Sequence, residues 1–209
     1  LPLLRGMFAF AVHDSKDDSV LLVRDRLGIK PLWIKVDEKH FRFASEVRAL
    51  LSPQELKPNQ HALSEYIGFG HFPGNGDIFK GVQSIAPGGW VRLDTKGKIE
   101  KGGWWPEGKL AHKKVHSKQE SVHRVNQLVT KVIEEHLISY VGVGAFLSGG
   151  IDSSIVTLVA GRALGKNLRT FTVGFPQGSF DERSVARQVA KQAGAEHNEL
   201  VVSEDTCLN

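Results

Sequence analysis

Seven consecutive residues constrain this chain more than any other feature: Ser148-Gly149-Gly150-Ile151-Asp152-Ser153-Ser154. They follow an apolar run, Val141 to Leu147, that reads as a buried strand, and they open a segment that reads as a helix through Leu164. The carboxyl end of a strand at the start of a helix is where open α/β sheets hold their ligands. Gly149 and Gly150 permit backbone angles closed to other residues and let a phosphate come close to the main chain. Ser148, Ser153 and Ser154 offer hydroxyl donors. The free N–H groups of the following helix, with its dipole, favour an anion at the same spot. Asp152 adds a carboxylate, which beside phosphates is most useful as a magnesium ligand. A plain strand-to-helix turn, capped by Asp152 and Ser153, would explain Gly-Gly alone but not the whole string in this setting.

The surroundings of the string alternate between strand and helix. A helix over about Lys118 to Ser139 carries Val122, Val125, Leu128, Val129, Val132, Ile133 and Leu137 at spacings of three and four, which predicts a single buried stripe. Ser117 followed by Glu120 fits a capping box at its start. Leu168 to Phe175 reads as a second strand and His197 to Val202 as a third. Between them Asp181 to Ala193 reads as a helix, with Val185, Ala186, Val189, Ala190 and Ala193 on one side. Alternation in units this short predicts a parallel sheet with right-handed crossovers.

The first half is β-rich instead. Met7 to Asp14, Ser19 to Asp25, Leu32 to Val36 and Phe41 to Ala44 read as strands, and Gly89 to Trp104 as a hairpin turning at Thr95-Lys96-Gly97. Short helices are expected at Glu46 to Leu51 and His61 to Ile67. Gly102 to Ser117 is rich in Gly, Lys and His, contains Pro106 and has no periodicity. The expected division is therefore residues 1–105, a linker at 106–117, and residues 118–209.

Composition narrows the partners. With 209 residues the chain can hold two modest domains, each with a real core. The net charge is +4, and the one basic cluster, His112 to Lys118, has no aromatic residues within it. It reads as a solvated linker, so no nucleic-acid partner is expected. No apolar run approaches the roughly 20 residues of a membrane span. The single cysteine, Cys207, rules out an internal disulfide framework and suits a reducing cytoplasm. His112, His116 and His123 straddle a loop and a helix start without ligand-like spacing, and read as solvated. Trp104-Trp105 is expected to pack at the domain boundary.

The string Ser148 to Ser154 resembles the pyrophosphate-binding loop of the ATP pyrophosphatase (PP-loop) superfamily, which adenylates substrates while cleaving ATP to AMP and pyrophosphate. It is not the P-loop of kinases and GTPases, because GxxxxGKS/T is absent and no lysine is placed to reach the β- and γ-phosphates. Val143 to Leu147, Phe171 to Phe175 and Phe180-Asp181-Glu182 are similar to the asparagine synthetase branch in particular. The resemblance implies that backbone around Leu147 and Val173 holds adenine. It further implies that Ser148, Gly149, Gly150, Ser153 and Ser154 bind the pyrophosphate end of ATP, and that Asp152 binds Mg2+ with it. Tyr140 and Gly142 stand where that family usually has an acidic residue and a proline, so the strand entry is expected to differ.

Residues 5–11, Arg24 to Leu32 and Phe43-Ala44-Ser45-Glu46 are similar to class II glutamine amidotransferase domains. Gly28 and Pro31 set a fixed turn, and Arg24 and Asp25 can pair or bond to backbone, so their role reads as architectural rather than substrate-binding. Together the resemblances cover nearly the whole chain. They imply two domains: the C-terminal part of an αββα Ntn glutaminase domain, then a truncated α/β parallel-sheet PP-loop domain. The implied substrates are glutamine, aspartate and ATP, with Mg2+. Glutamine-derived ammonia would convert β-aspartyl-AMP to asparagine. The family's N-terminal nucleophilic cysteine is expected upstream of Leu1 and the remaining synthetase residues beyond Asn209. The piece by itself is thus expected to be inactive and poorly soluble. Cys207 is not a candidate nucleophile. A β-lactam synthetase-like enzyme, another amide-forming enzyme of secondary metabolism or surface sugars, and a non-catalytic nucleotide-binding paralogue remain the alternatives.

Overall fold

Two polar turns rich in aspartate set the first antiparallel pairs. β1 (Ala9–Asp14) and β2 (Ser19–Arg24) pair with Ala9 opposite Arg24 and Asp14 opposite Ser19. Asp18 sits between them at φ 53°, a conformation that aspartate tolerates better than most residues. Asp14 and Asp17 accept hydrogen bonds from Lys16 N and Ser19 N, which fixes the turn. β3 (Trp33–Val36) and β4 (Phe41–Ala44) pair in the same way around Asp37, whose carboxylate accepts from the backbone N–H of Lys39 and His40. The computed structural model describes residues 1–72, 79–105, 117–176 and 181–203. It divides into two units, Leu1–Ala111 and His112–Asn209. Most of the expected linker, with Pro106, His112 and His116, lies outside the described residues, as do Phe180 and Cys207.

In the first unit, α1 (Gln60–Phe69) follows the N-cap of Asn59 and ends at Gly70, φ 71°. β5 (Val82–Ser84), β6 (Gly89–Leu93) and β7 (Ile99–Gly103) complete two sheets of order β1-β2-β6-β7 and β4-β3-β5. Leu22 of β2, Ile34 of β3 and Val91 of β6 join Leu32 and Ile85 in one core cluster, so both sheets contribute to one apolar layer. Each such side chain contributes about 1.5–3 kcal/mol on burial. The expected helix at Glu46 to Leu51 is only a 3-10 turn, Val47–Ala49. Pro53 follows closely, and the residue before a proline is pushed out of helical backbone; Ser52 has ψ 161°.

In the second unit, Ser117 caps α2 (Lys118–His136) by accepting from Glu120 N. β8 (Gly144–Phe146), α3 (Ile151–Leu164), β9 (Arg169–Gly174), α4 (Arg183–Ala193) and β10 (Glu196–Val201) follow. The three strands are parallel, in the order β10-β9-β8. Leu147, Ala186 and Ala190 form the core, and a Cβ at Gly161 would overlap the Ala193 carbonyl, so α3 and α4 meet at glycine contact. Among the described residues no helix is long and apolar enough to cross a membrane.

Two expectations are corrected here. The α2 stripe is not buried: Val122, Val125 and Leu128 are 62%, 59% and 61% exposed, while Val129, Ile133 and Leu137 are half-buried on a helix that rests on α3. Helical periodicity specifies a face that favours cover, without requiring that these residues supply it. The run Val141 to Leu147 is likewise not a buried strand over its length. Only three residues form β8, an edge strand, and Phe146 is 85% exposed.

Candidate functional site

Where β8 runs out, the chain turns at Gly149, whose φ of 82° suits glycine. A Cβ there would lie 3.1 Å from Val185 Cβ, so the first turn of α4 closes over the loop. Two hydroxyls knit the loop together. Ser148 Oγ is 3.0 Å from Ser153 Oγ and accepts from Gly150 N at 3.3 Å. Ser153 Oγ accepts from Ser148 N at 3.3 Å and lies 3.2 Å from the Gly150 carbonyl. Ser154, half-buried, donates its backbone N–H to Gly150 O as the helix begins.

The N-cap of α3 is Gly150, which has no side chain to bond the first N–H groups of the helix. Those donors face a loop whose only carboxylate, Asp152, is exposed and has no recorded partner among the described residues. The set suits a polyphosphate with a hard cation: donors for anionic oxygen, and one free carboxylate for the metal. Leu147 is 1% exposed; its N–H donates to Phe171 O and its carbonyl accepts from Thr172 Oγ1 at 2.5 Å. Val173, on β9, is about half exposed. By strand alternation Val173 turns its N–H and C=O to the same side as Phe171, past the point where β8 stops. Among the described residues, a backbone donor and acceptor are thereby left without a strand partner on that side. Phe146, Phe171, Val173 and Leu200 line an apolar groove of about 380 Å³ alongside.

The expected site residues thus divide. Ser148, Gly149 and Gly150 form the turn, and Asp152, Ser153 and Ser154 follow it in the first turn of α3. Leu147 is a core residue whose own backbone groups are already bonded. Val173 is the accessible backbone edge.

The Arg24-Asp25 motif is bonded to protein throughout. Asp25, 1% exposed, accepts from the backbone N–H of Phe8, Leu27, Ile29 and Lys30 at 2.9–3.3 Å. Burial pushes its carboxyl up, but the four N–H donors outweigh it and hold the group below the usual carboxylate range. Arg24 donates to the carbonyls of Gly28, Lys30 and Ile85 and to Ser84 Oγ. Trp104 donates its indole N–H to Arg24 O and stacks on Phe8, so it packs inside the first unit.

Residues 1–105 match the glutamine amidotransferase domain family, and residues 124–209 match the asparagine synthase family. The first match spans half of the chain, which belongs to the glutamine amidotransferase domain family. Asparagine synthetase (glutamine-hydrolyzing) 1 of Bacillus subtilis is 33% identical over 208 residues, which are 99% of this chain and 32% of that protein. The putative asparagine synthetase (glutamine-hydrolyzing) 2 of Methanocaldococcus jannaschii is 30% identical over 95% of this chain and 39% of its own length. Amidase chyE of Penicillium rubens is 30% identical over 97% and 32%. The chain spans about a third of the length of the curated relatives it matches.

In the asparagine synthase half, two site features escaped the sequence reading. Thr172 ties β9 to the Leu147 carbonyl, and its place in the alternation of β9 was the available signal. Arg183 opens α4 with its stem across Gly174, and the only sign of it was a glycine at the end of a strand.

Proposed function

We propose that the chain is part of an enzyme that joins ammonia from glutamine to a carboxylate activated by ATP, with aspartate as the acceptor and asparagine as product. The observation that carries this reading is the loop Ser148 to Ser154, with its hydroxyl-knit turn, uncapped helix start and free Asp152 carboxylate. Backbone N–H groups of the loop, with Ser148 and Ser153, bind the pyrophosphate end of ATP. The Val173 edge meets the adenine, with Leu147 forming the wall behind it. Asp152 would hold Mg2+, which neutralises phosphate charge and improves pyrophosphate as a leaving group. Attack of the aspartate β-carboxylate on the α-phosphorus releases pyrophosphate and gives β-aspartyl-AMP. Ammonia then displaces AMP. The loop donors stabilise the charge that develops on the departing pyrophosphate.

In the same reading residues 1–105 belong to an Ntn glutaminase fold, residues 106–117 are a linker, and residues 118–209 belong to a PP-loop fold. Glutamine hydrolysis is then an activity of the whole protein in the cytoplasm. A second reading keeps the same chemistry on a carboxylate other than that of aspartate; the similarity to a protein named as an amidase, amidase chyE, is in keeping with a different amide substrate.

The test incubates the full-length protein with glutamine, aspartate and MgATP and identifies products by mass spectrometry. Asparagine with AMP and pyrophosphate supports the first reading. AMP formed only with another carboxylate supports the second. No AMP with any acceptor overturns both.

A further inference from the structure

A triphosphate brings about four negative charges, yet the loop Ser148 to Ser154 contains no lysine or arginine. Desolvating that charge beside a helix start calls for a protein cation within reach. In the second unit the sheet topology decides which cation is available. Ligands of a parallel sheet sit at the carboxyl ends of its strands. Arg169 begins β9, and so lies at the opposite end, ion-paired with Glu196. Arg162 lies in the last turn of α3, Lys166 just beyond it, and Lys191 in the last turn of α4; both helices run back toward that same far end. Arg187 lies one turn further along α4, away from the carboxyl end of the sheet, where it pairs with both oxygens of Glu199 at 2.6 and 2.7 Å beside His197 on β10.

Arg183 is placed differently. It is the first residue of α4, two positions before Val185, whose Cβ touches the space above Gly149. Its stem lies across Gly174, the last residue of β9, and a Cβ on that buried glycine would overlap it. The side chain therefore runs across the carboxyl end of the sheet, one residue beyond Val173. Its guanidinium is oriented by both oxygens of Asp181, each at 2.7 Å, and the pair is only about one-fifth exposed.

We propose that Arg183 is the cation of the nucleotide site, held by Asp181 so that its free N–H edge faces the polyphosphate bound by the loop Ser148 to Ser154. This inference rests on the ATP-binding reading of that loop. Arg187, on the next turn of α4, stays with Glu199 and takes no part. A planar guanidinium suits the role because it can bond a carboxylate and a phosphate through different N–H groups at once. Gly174 is the clearance that lets the stem pass.

The experiment measures binding of MgATP and of adenosine to the full-length protein by calorimetry, for the native protein, Arg183→Gln, Arg183→Lys and Gly174→Ala. Arg183→Gln is expected to weaken MgATP binding at least about tenfold, the effect of losing a charge-assisted hydrogen bond, with adenosine binding unchanged. Arg183→Lys should recover part of the loss. Gly174→Ala should reproduce it by displacing the stem. Added salt should weaken MgATP binding to the native protein more than to Arg183→Gln. MgATP affinity unchanged in Arg183→Gln overturns the proposal while leaving the loop reading intact. Equal losses for adenosine and MgATP also overturn it, by showing a purely structural role. A native protein that binds no MgATP overturns the reading of the loop itself.

Discussion

Two aspartates with opposite surroundings show how differently one residue type can act. Asp152 is exposed, with no recorded partner, in the first turn of a helix whose cap has no side chain. Removing its charge should leave the fold alone and damage only the chemistry. Asp152→Asn in the full-length protein is expected to keep the native melting temperature and lower AMP and pyrophosphate formation about a hundredfold or more. A substantial drop in melting temperature would instead make Asp152 a structural residue. Asp25 is the reverse case. Its carboxylate is the acceptor for four backbone donors of the turn that follows β2. Asp25→Ala strips that acceptor from a buried site and is expected to cost about 3 kcal/mol or more, read by denaturant unfolding. The pH dependence follows from the lowered carboxyl. A group with a depressed folded-state pKa contributes stability above its unfolded value of about 3.9 and loses it as pH falls through the folded value. The native protein should therefore lose stability more steeply than Asp25→Ala as acid is added below that value.

At the scale of elements, a close backbone contact joins α3 and α4, where Gly161 lies against Ala193. Two effects compete in Gly161→Ala. Alanine gains about 1 kcal/mol of helix propensity over glycine. The new Cβ, however, overlaps a backbone carbonyl that cannot swing aside, and overpacking costs about 1–3 kcal/mol. Overpacking should win, lowering the melting temperature of the full-length protein; a rise would show that the helices separate freely. The contact also marks a limit of reading elements from sequence. Local signals located most of them: apolar, partly β-branched runs split by polar turns for β1 to β4, and the stretch His61 to Ile67 inside α1. Val82–Ser84 gave no such signal, because a three-residue strand is too short to alternate and forms by pairing with β3. In the site, the glycines and hydroxyls of the loop were legible because their use is local. Arg183 and Thr172 were not, since their meaning comes from Gly174 and Leu147, residues brought close only by folding.

Over the whole molecule, apolar surface is the quantity that sequence periodicity and structure value differently. Val122, Val125 and Leu128 keep helical spacing yet stand about three-fifths exposed, and Phe146 and Leu200 are also open on the parallel sheet. Parallel sheets normally carry a layer on both faces, and the relatives are about three times as long as this chain. These facts separate two states of the same stripe. If the longer protein covers it, Val125→Lys with Leu128→Lys should improve the solubility of the isolated 209-residue chain while destabilising the full-length protein. Burying two lysines costs several kcal/mol, whereas exposed valine and leucine only promote association. Light scattering on the short chain and thermal unfolding of the long one read the two effects. Improved solubility with an unchanged full-length melting temperature would mean that the stripe stays in water in both, and that its periodicity reflects packing on α3 through Val129, Ile133 and Leu137 alone.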